Sequence, residues 1–371
     1  MQIDERSPLD RALAAVHPRR VILAALALGG AAAAIAPAAD LAAKKKKKKT
    51  WRYRAQFGSY GADGTGDANF SNPSGVAVSG DGLAAWVADT FNHRIVVWTR
   101  PDLTSTTWSY STKFGTEGSG ESNLLFPTGV TASADGLAVW VADTNNHRIV
   151  VWTRPDVGST QWSFSNQFGS GPGSGDADLY SPTGVAISAD KLTAWVASMA
   201  NNRVSIWARQ DLSSNWSHSA NFGTQGDGDT NFSNPAGVSV STDGLAAWVA
   251  DQNNNRIVSW TRSNDNATDW SYRTQFGTYG TGNANIYGPV GVAVSADGRT
   301  AWVADKGNSR ISVWTRPSST STQWKHSTNL GTLGSGNNNF SQPSGVAVST
   351  DGRTAFVADT LNNRISIWTY S

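Results

Sequence analysis

Six prolines, Pro73, Pro127, Pro182, Pro235, Pro289 and Pro343, each stand two residues before a Gly-Val pair, at successive intervals of 54, 55, 53, 54 and 54 residues. A period this steady means one supersecondary unit repeated, with each copy burying its apolar faces against its neighbours. Each copy reads as four strands. The first is short and small, as in Gly75–Ser79, and ends in the turn Ser79-Gly80-Asp81-Gly82. The second carries an aromatic residue and stops at Ala-Asp, as in Trp86–Asp89. Asn92-His93-Arg94 then turns the chain into a third strand, Ile95–Trp98, and the fourth runs from Trp108 to Phe114 before a Gly-rich loop. The 37 glycines, the 10% aromatic content and only 16% charged residues suit such a body of strands and tight turns. The expected fold is all-β: a six-bladed propeller of four-stranded antiparallel blades.

The two ends of the array give an independent expectation. The sixth copy has three strands before Ser371, and the segment Trp51–Gly58 matches Trp270–Gly277, the fourth strand of a complete copy. One strand from the start and three from the end should therefore share a blade (1+3) and close the ring, which removes exposed sheet edges. All 17 tryptophans fall at three repeat positions: in the second strand (Trp86, Trp140, Trp195, Trp248, Trp302), at the close of the third and at the opening of the fourth, with Phe356 in the one remaining slot. A residue that recurs in every blade serves what every blade needs, so these rings are read as inter-blade packing rather than carbohydrate stacking.

The run Pro73–Gly82, Pro-Ser-Gly-Val-Ala-Val-Ser-Gly-Asp-Gly, followed by Val87–Ile95, Val-Ala-Asp-Thr-Phe-Asn-His-Arg-Ile, resembles the NHL repeat. The resemblance extends over all six copies, residues 51–371, and it implies a six-bladed propeller. Within that family it implies roles as different as protein or RNA binding, bacterial extracellular sensing and, in one branch, a metal-dependent amidating lyase. The fold transfers; the function does not, because the blades are a platform reused for unrelated tasks.

Recurrence also decides how the charged residues are read. Asp89, Asp143, Asp251, Asp305 and Asp359 end second strands, and Arg94, Arg148, Arg256, Arg310 and Arg364 open third strands, as does Arg203. Turn architecture is favoured over catalysis for these pairs, since an asymmetric reaction has no use for six copies of one group. His93 and His147 occupy equivalent turns of adjacent blades, too far apart to share a zinc ion that needs nitrogens at about 2 Å. His218 and His326 fall in fourth strands and supply no third ligand. The inner strands hold no Glu, Asp, Asn or His, and the lyase's ligand set has no match, so neither catalytic residues nor an axial metal are assigned. Calcium is the one ion that some segments would suit: the inter-blade loops pair Asp63 with Asp67, Glu117 with Glu121, Asp176 with Asp178 and Asp227 with Asp229. Solvated acidic turns are the alternative.

Binding function is expected where the blades differ. One turn position reads Phe91, Asn145, Ala200, Asn253, Gly307 and Leu361, which places Leu361 and Phe91 on neighbouring blades of a closed ring as a candidate apolar patch. In the third blade Ser198, Met199 and Lys191 replace the usual Asp, the usual Thr or polar residue, and the usual Gly. Phe91, Asn145, Met199 and Leu361 are the candidate ligand-binding residues.

Residues 1–50 hold ten Lys or Arg and four Asp or Glu, which leaves 20 basic and 24 acidic residues in the body. A body at about −4 argues against nucleic acid as a partner. Arg11, Arg19 and Arg20 precede the apolar run 21–36 and the Ala36-Pro37-Ala38 motif, so residues 1–38 read as a signal peptide cut before Ala39, with an uncleaved anchor as the alternative. Residues 39–50 form a Lys-rich linker, and Lys44–Lys49 suit electrostatic contact with an anionic envelope or a plain solvated spacer. There is no cysteine, hence no disulfide or thiolate site. The expectation is an exported, cell-envelope-associated, monomeric and non-catalytic scaffold that holds a protein, peptide or cell-wall polymer through its loop face. A secreted metal-dependent hydrolase or lyase is the alternative.

Overall fold

The structure is a computed structural model that describes residues 49–59, 64–265 and 267–371. The segment read as a signal peptide, most of the Lys-rich segment and Asp63 lie outside the described residues. Six four-stranded antiparallel sheets follow one another as blades. Blade 1 comprises Pro73–Val78, Ala84–Asp89, Arg94–Thr99 and Ser109–Phe114, and blades 2 to 5 repeat that order. Blade 6 takes Gly345–Val348, Thr354–Asp359 and Arg364–Tyr370 from the end of the sequence and Trp51–Phe57 from its start. Trp51 pairs with Tyr370, Tyr53 with Trp368 and Phe57 with Ile365. Thr50 and Ser371 exchange backbone hydrogen bonds at 3.0 and 3.1 Å, extending the seam by one more pair. The ring is thus closed as expected.

Each blade is held to the next by aromatic packing. The phenylalanine ending one fourth strand inserts between the two outer tryptophans of the following blade: Phe114 lies 4.9 Å from Trp152 and 5.0 Å from Trp162. Phe57 does the same with Trp98 and Trp108, carrying the pattern across the seam. Second-strand rings complete the contact, with Trp86 edge-on to Trp162 and Trp302 edge-on to Trp51. These inner rings are no more than 2% exposed, so each contributes roughly 150–250 Å² of buried surface. A recurring arginine that the strand pattern does not reveal caps the outer rings: the guanidinium of Arg154 sits 5.1 Å above Trp162, that of Arg209 4.7 Å above Trp216 and that of Arg316 4.8 Å above Trp324.

The first strands surround the axis, and there glycine is a steric requirement. A Cβ at Gly129 would collide with the carbonyl oxygen of Thr183, and one at Gly345 with that of Ser74. The inter-blade loops are more regular than the Gly-rich composition implied. Thr224–Gln225 with Asn231–Phe232, and Thr332–Leu333 with Asn339–Phe340, form two-residue parallel ladders.

Candidate functional site

Val76, Val130, Val185, Val238, Val292 and Val346 stand at equivalent places in the six first strands, each 6–8% exposed. They border two axial cavities, one of about 460 Å³ on the side of the turns between second and third strands and one of about 260 Å³ on the other. The larger cavity is the candidate site. Its mouth is set by the residue that opens each of those turns, and Thr90, Met199, Gln252, Lys306 and Thr360 all line it.

A circuit of hydroxyls runs along part of this wall. Ser344 Oγ donates to the carbonyl of Ser74, Ser74 Oγ to that of Thr128, Thr128 Oγ1 to that of Thr183, and Thr183 Oγ1 to that of Ala236. A second tier sits above it: Thr360, Thr90 and Thr144 donate to the carbonyls of Pro73, Pro127 and Pro182 at 2.8 to 2.9 Å. The tiers are tied together, as in Ser74 Oγ to Thr90 Oγ1 at 2.6 Å. The circuit stops at Ala236 and Val290, which hold the corresponding places in blades 4 and 5 and carry no hydroxyl. Beside this break the upper tier is Met199, Gln252 and Lys306. Lys306 is the one charged side chain of the cavity lining among the described residues.

The repeated Asp-Arg pairs lie outside the cavity and do structural work. Asp89 is fully buried; its Oδ1 accepts the Ser71 N–H at 2.7 Å, and its Oδ2 accepts Arg94 Nε at 2.7 Å and Asn92 Nδ2 at 2.8 Å. Arg94 then reaches the carbonyls of Gly66 and Asn69 and so clamps the inter-blade loop. Asp143 with Arg148, Asp251 with Arg256, Asp305 with Arg310 and Asp359 with Arg364 repeat the pair at 2.7 to 2.8 Å. Burial pushes the Asp89 carboxyl upward, opposed by the Ser71 N–H, Asn92 and Arg94. Blade 3 breaks the rule. Ser198 accepts the Tyr180 N–H in place of the carboxylate, and Arg203 Nε is left buried with no partner.

The two turn histidines are each engaged by the following blade. His93 and His147 have left-handed backbone, and each Nδ1 accepts an N–H from the next blade at 3.1 Å, from Phe126 and Ser181. Asn202, Asn255, Ser309 and Asn363 make the same bridge, to Asn234, Gly288, Gln342 and Asn72. The donors too are left-handed, at φ between 49° and 56°, although each precedes a proline. Local sequence gives no sign of that conformation at Phe126 or Gln342. It is maintained by the bridge.

Of the candidate ligand-binding residues, Phe91 and Met199 line the cavity, whereas Asn145 and Leu361 are outside its lining. Phe91 is 54% exposed and meets Phe126 of blade 2 edge-on at 5.7 Å. Leu361, 46% exposed, sits on a turn bridged instead to Asn72. Lys191 is on the opposite face, paired with Asp135 at 2.6 Å. In the acidic loops, Asp67 is bound to Lys113 and Asp178 accepts the Gly175 N–H. Among the described residues no three His, Asp or Glu side chains gather in a way that would hold a metal.

The family model of the NHL repeat matches residues 70–98, 124–152 and 287–314. Blades 1, 2 and 5 carry NHL repeats. No curated protein matches the chain. Among solved structures, these NHL blades and the rest of the ring are similar to the periplasmic gluconolactonase PpgL of Pseudomonas aeruginosa, at 15% identity and a TM-score of 0.57, over 86% of this chain and 92% of that one. They are also similar to the Cps50 (Swd1) β-propeller domain of Myceliophteria thermophila, at 12% identity and a TM-score of 0.50, over 81% and 84%. At such identities the likeness is one of fold.

Proposed function

We propose that this NHL-repeat propeller is an exported, monomeric, non-catalytic binding protein that holds a protein, peptide or cell-wall polymer on its turn face, centred on the axial cavity. The observation that carries the reading is the cavity's lining. It combines apolar side chains, the exposed Phe91 and the half-buried Met199, with hydroxyls already committed to carbonyls, and it presents no carboxylate or imidazole among the described residues. Such a surface can grip a partner but has no acid-base pair to move a proton. Export rests on the leader read in residues 1–38, and the Lys-rich arm would add attraction to an anionic envelope. The alternative, a metal-dependent hydrolase or lyase, needs oxygen or imidazole ligands on the axis, and the glycine, valine, serine and threonine wall supplies a poor set.

The test is site-specific photo-crosslinking in the full chain. A photoreactive residue at Phe91 is expected to yield discrete adducts in cell-envelope extract, while one at Leu103, exposed on the hairpin between third and fourth strands, is not. Equal adducts from both positions, or one tightly held metal ion per chain together with hydrolysis of a lactone or ester, would overturn the reading.

A further inference from the structure

The break in the hydroxyl circuit gives the cavity a chemical polarity. Where the circuit runs, every wall hydroxyl has spent its hydrogen: Ser74, Thr128, Thr183 and Ser344 donate to carbonyls or to the threonines above them, and Thr90, Thr144 and Thr360 donate to proline carbonyls. A ligand rich in hydroxyls finds acceptors on that side but no free donors. Across the break the situation is reversed. Lys306 and Gln252 are half-buried in the lining, and neither side chain has a hydrogen-bond or ion-pair partner among the described residues. Between them and the valine ring lie Ala236 and Val290, and Met199 flanks them in the upper tier; all three are apolar. A cationic donor and an amide donor without protein partners, above an apolar wall, fit one kind of group best.

We propose that the sector of the cavity at blades 3 to 5 is a carboxylate site. Lys306 Nζ pairs with the anionic oxygens, the Gln252 amide donates a second hydrogen bond, and an apolar stem lies against Met199, Ala236 and Val290. The neutralised charge is drawn into a partly desolvated mouth, where an ammonium-carboxylate hydrogen bond gains strength over its worth in water. A phosphate or sulfate, with its larger charge and no apolar part, would waste the lower wall. The carboxylate belongs either to a free short-chain acid or to the C-terminal residue of a peptide. The proposal rests on the axial cavity being the centre of binding and names what that centre recognises.

Titration calorimetry on the full chain tests it, with hexanoate, hexanamide, and acetyl-Ala-Leu as free acid and as amide. Hexanoate and the peptide acid should bind, their amides far more weakly, and Lys306→Thr should lower the affinity of both acids by about tenfold or more. Threonine already fills this place in blades 1, 2 and 6, so the variant keeps the fold, and Lys306→Arg should retain binding. A peptide acid tighter than hexanoate assigns the carboxylate to a polypeptide terminus; the reverse assigns it to a free acid. Equal binding of acids and amides, unchanged affinity in Lys306→Thr, or no binding of either acid would overturn the site. If adducts at Phe91 persist in that case, only the carboxylate assignment falls. If hexanoate binds and the adducts are absent, only the partner reading falls.

Discussion

Arg364 donates from Nη1 to Oε1 of Gln56 at 2.8 Å, a contact between residues 308 apart in sequence. Within continuous blades the same bond is local, as in Arg148 to Gln167 and Arg256 to Gln275. Arg364 is also the clamp that pairs with Asp359 and reaches the carbonyls of Gly336 and Asn339. The first described strand is therefore held by the same fixture as the fourth strands of blades 2 and 4, and it brings Trp51 and Phe57 into contact with blades 5 and 1. Removing residues 1–58 deletes both rings, each worth about 3–5 kcal/mol in a core, against a total stability of about 5–15 kcal/mol. The truncated chain should lose its cooperative thermal transition in calorimetry. Gln56→Ala should cost only about 1 kcal/mol in urea denaturation.

Blade 3 offers the opposite experiment. Ser198 stands where other blades have a buried aspartate, and Arg203 Nε has no acceptor, while its Nη2 still reaches the carbonyls of Gly175 and Asp178. Burial pushes the Arg203 guanidinium downward, with Asp176 and Asp178 opposing. Ser198→Asp restores the carboxylate to a place where three donors already converge, the Tyr180 N–H, Asn201 Nδ2 and Arg203. The variant is expected to be more stable by about 1–2 kcal/mol, read as a rise in Tm. The converse change, Asp143→Ser in blade 2, should be destabilising by about 3–5 kcal/mol because Arg148 would lose its partner in a buried setting.

The array and its closure were legible because they rest on local signals: proline spacing, the three tryptophan positions and the match of Trp51–Gly58 to Trp270–Gly277. The site was legible only in part. Phe91 and Met199 stood out as departures from the repeat and do reach the cavity. Lys306 did not, because the turn was read at the Phe91 position, whereas the residue one place earlier opens the turn and lines the mouth. The hydroxyl circuit was invisible for another reason. It depends on the lateral register of first strands 52 to 55 residues apart, which no single blade's pattern encodes. The role of the histidines was hidden for the same reason: blade spacing argued against a shared zinc ion, but the hydrogen bond that each imidazole accepts from the following blade is encoded in no single repeat.

The glycines of the first strands should be intolerant of substitution where a hairpin glycine is not. A Cβ at Gly129 meets the backbone of Thr183 and Gly184, atoms fixed in the neighbouring first strand. At Gly158 the nearest atom is a side-chain oxygen of Asp156 at 3.3 Å, on an exposed hairpin. Gly129→Ala should therefore destabilise by about 1–3 kcal/mol through forced backbone movement, and Gly158→Ala by less than about 0.5 kcal/mol. Denaturant midpoints of the two variants compare them directly. Similar midpoints would mean that the first strands are less tightly apposed around the axis than their carbonyl contacts require.

His147 links pH to the joint between blades 2 and 3. Its Nδ1 accepts the Ser181 N–H, a donor in left-handed backbone, and the ring packs edge-on to Tyr180 at 5.2 Å. Burial lowers its pKa below the usual imidazole value, with Asp143 opposing. The cause is consistent with the geometry, since a protonated Nδ1 can no longer accept. With the folded pKa depressed, the unfolded chain binds the proton more readily. Stability is then fully present above about pH 6.5 and is lost as pH falls from there through the folded pKa. His147→Asn keeps an acceptor, as blades 3, 4 and 6 show with Asn202, Asn255 and Asn363, and lacks the proton. It should match the parent protein near pH 7.5 and remove this residue's share of the decline between pH 7 and 5. His147→Ala should instead lose about 1–3 kcal/mol at every pH, because the Ser181 N–H is left without its acceptor. A Tm-versus-pH profile for the three proteins separates these outcomes, and an asparagine variant with the parent's full slope would show that the joint is not where the protons act.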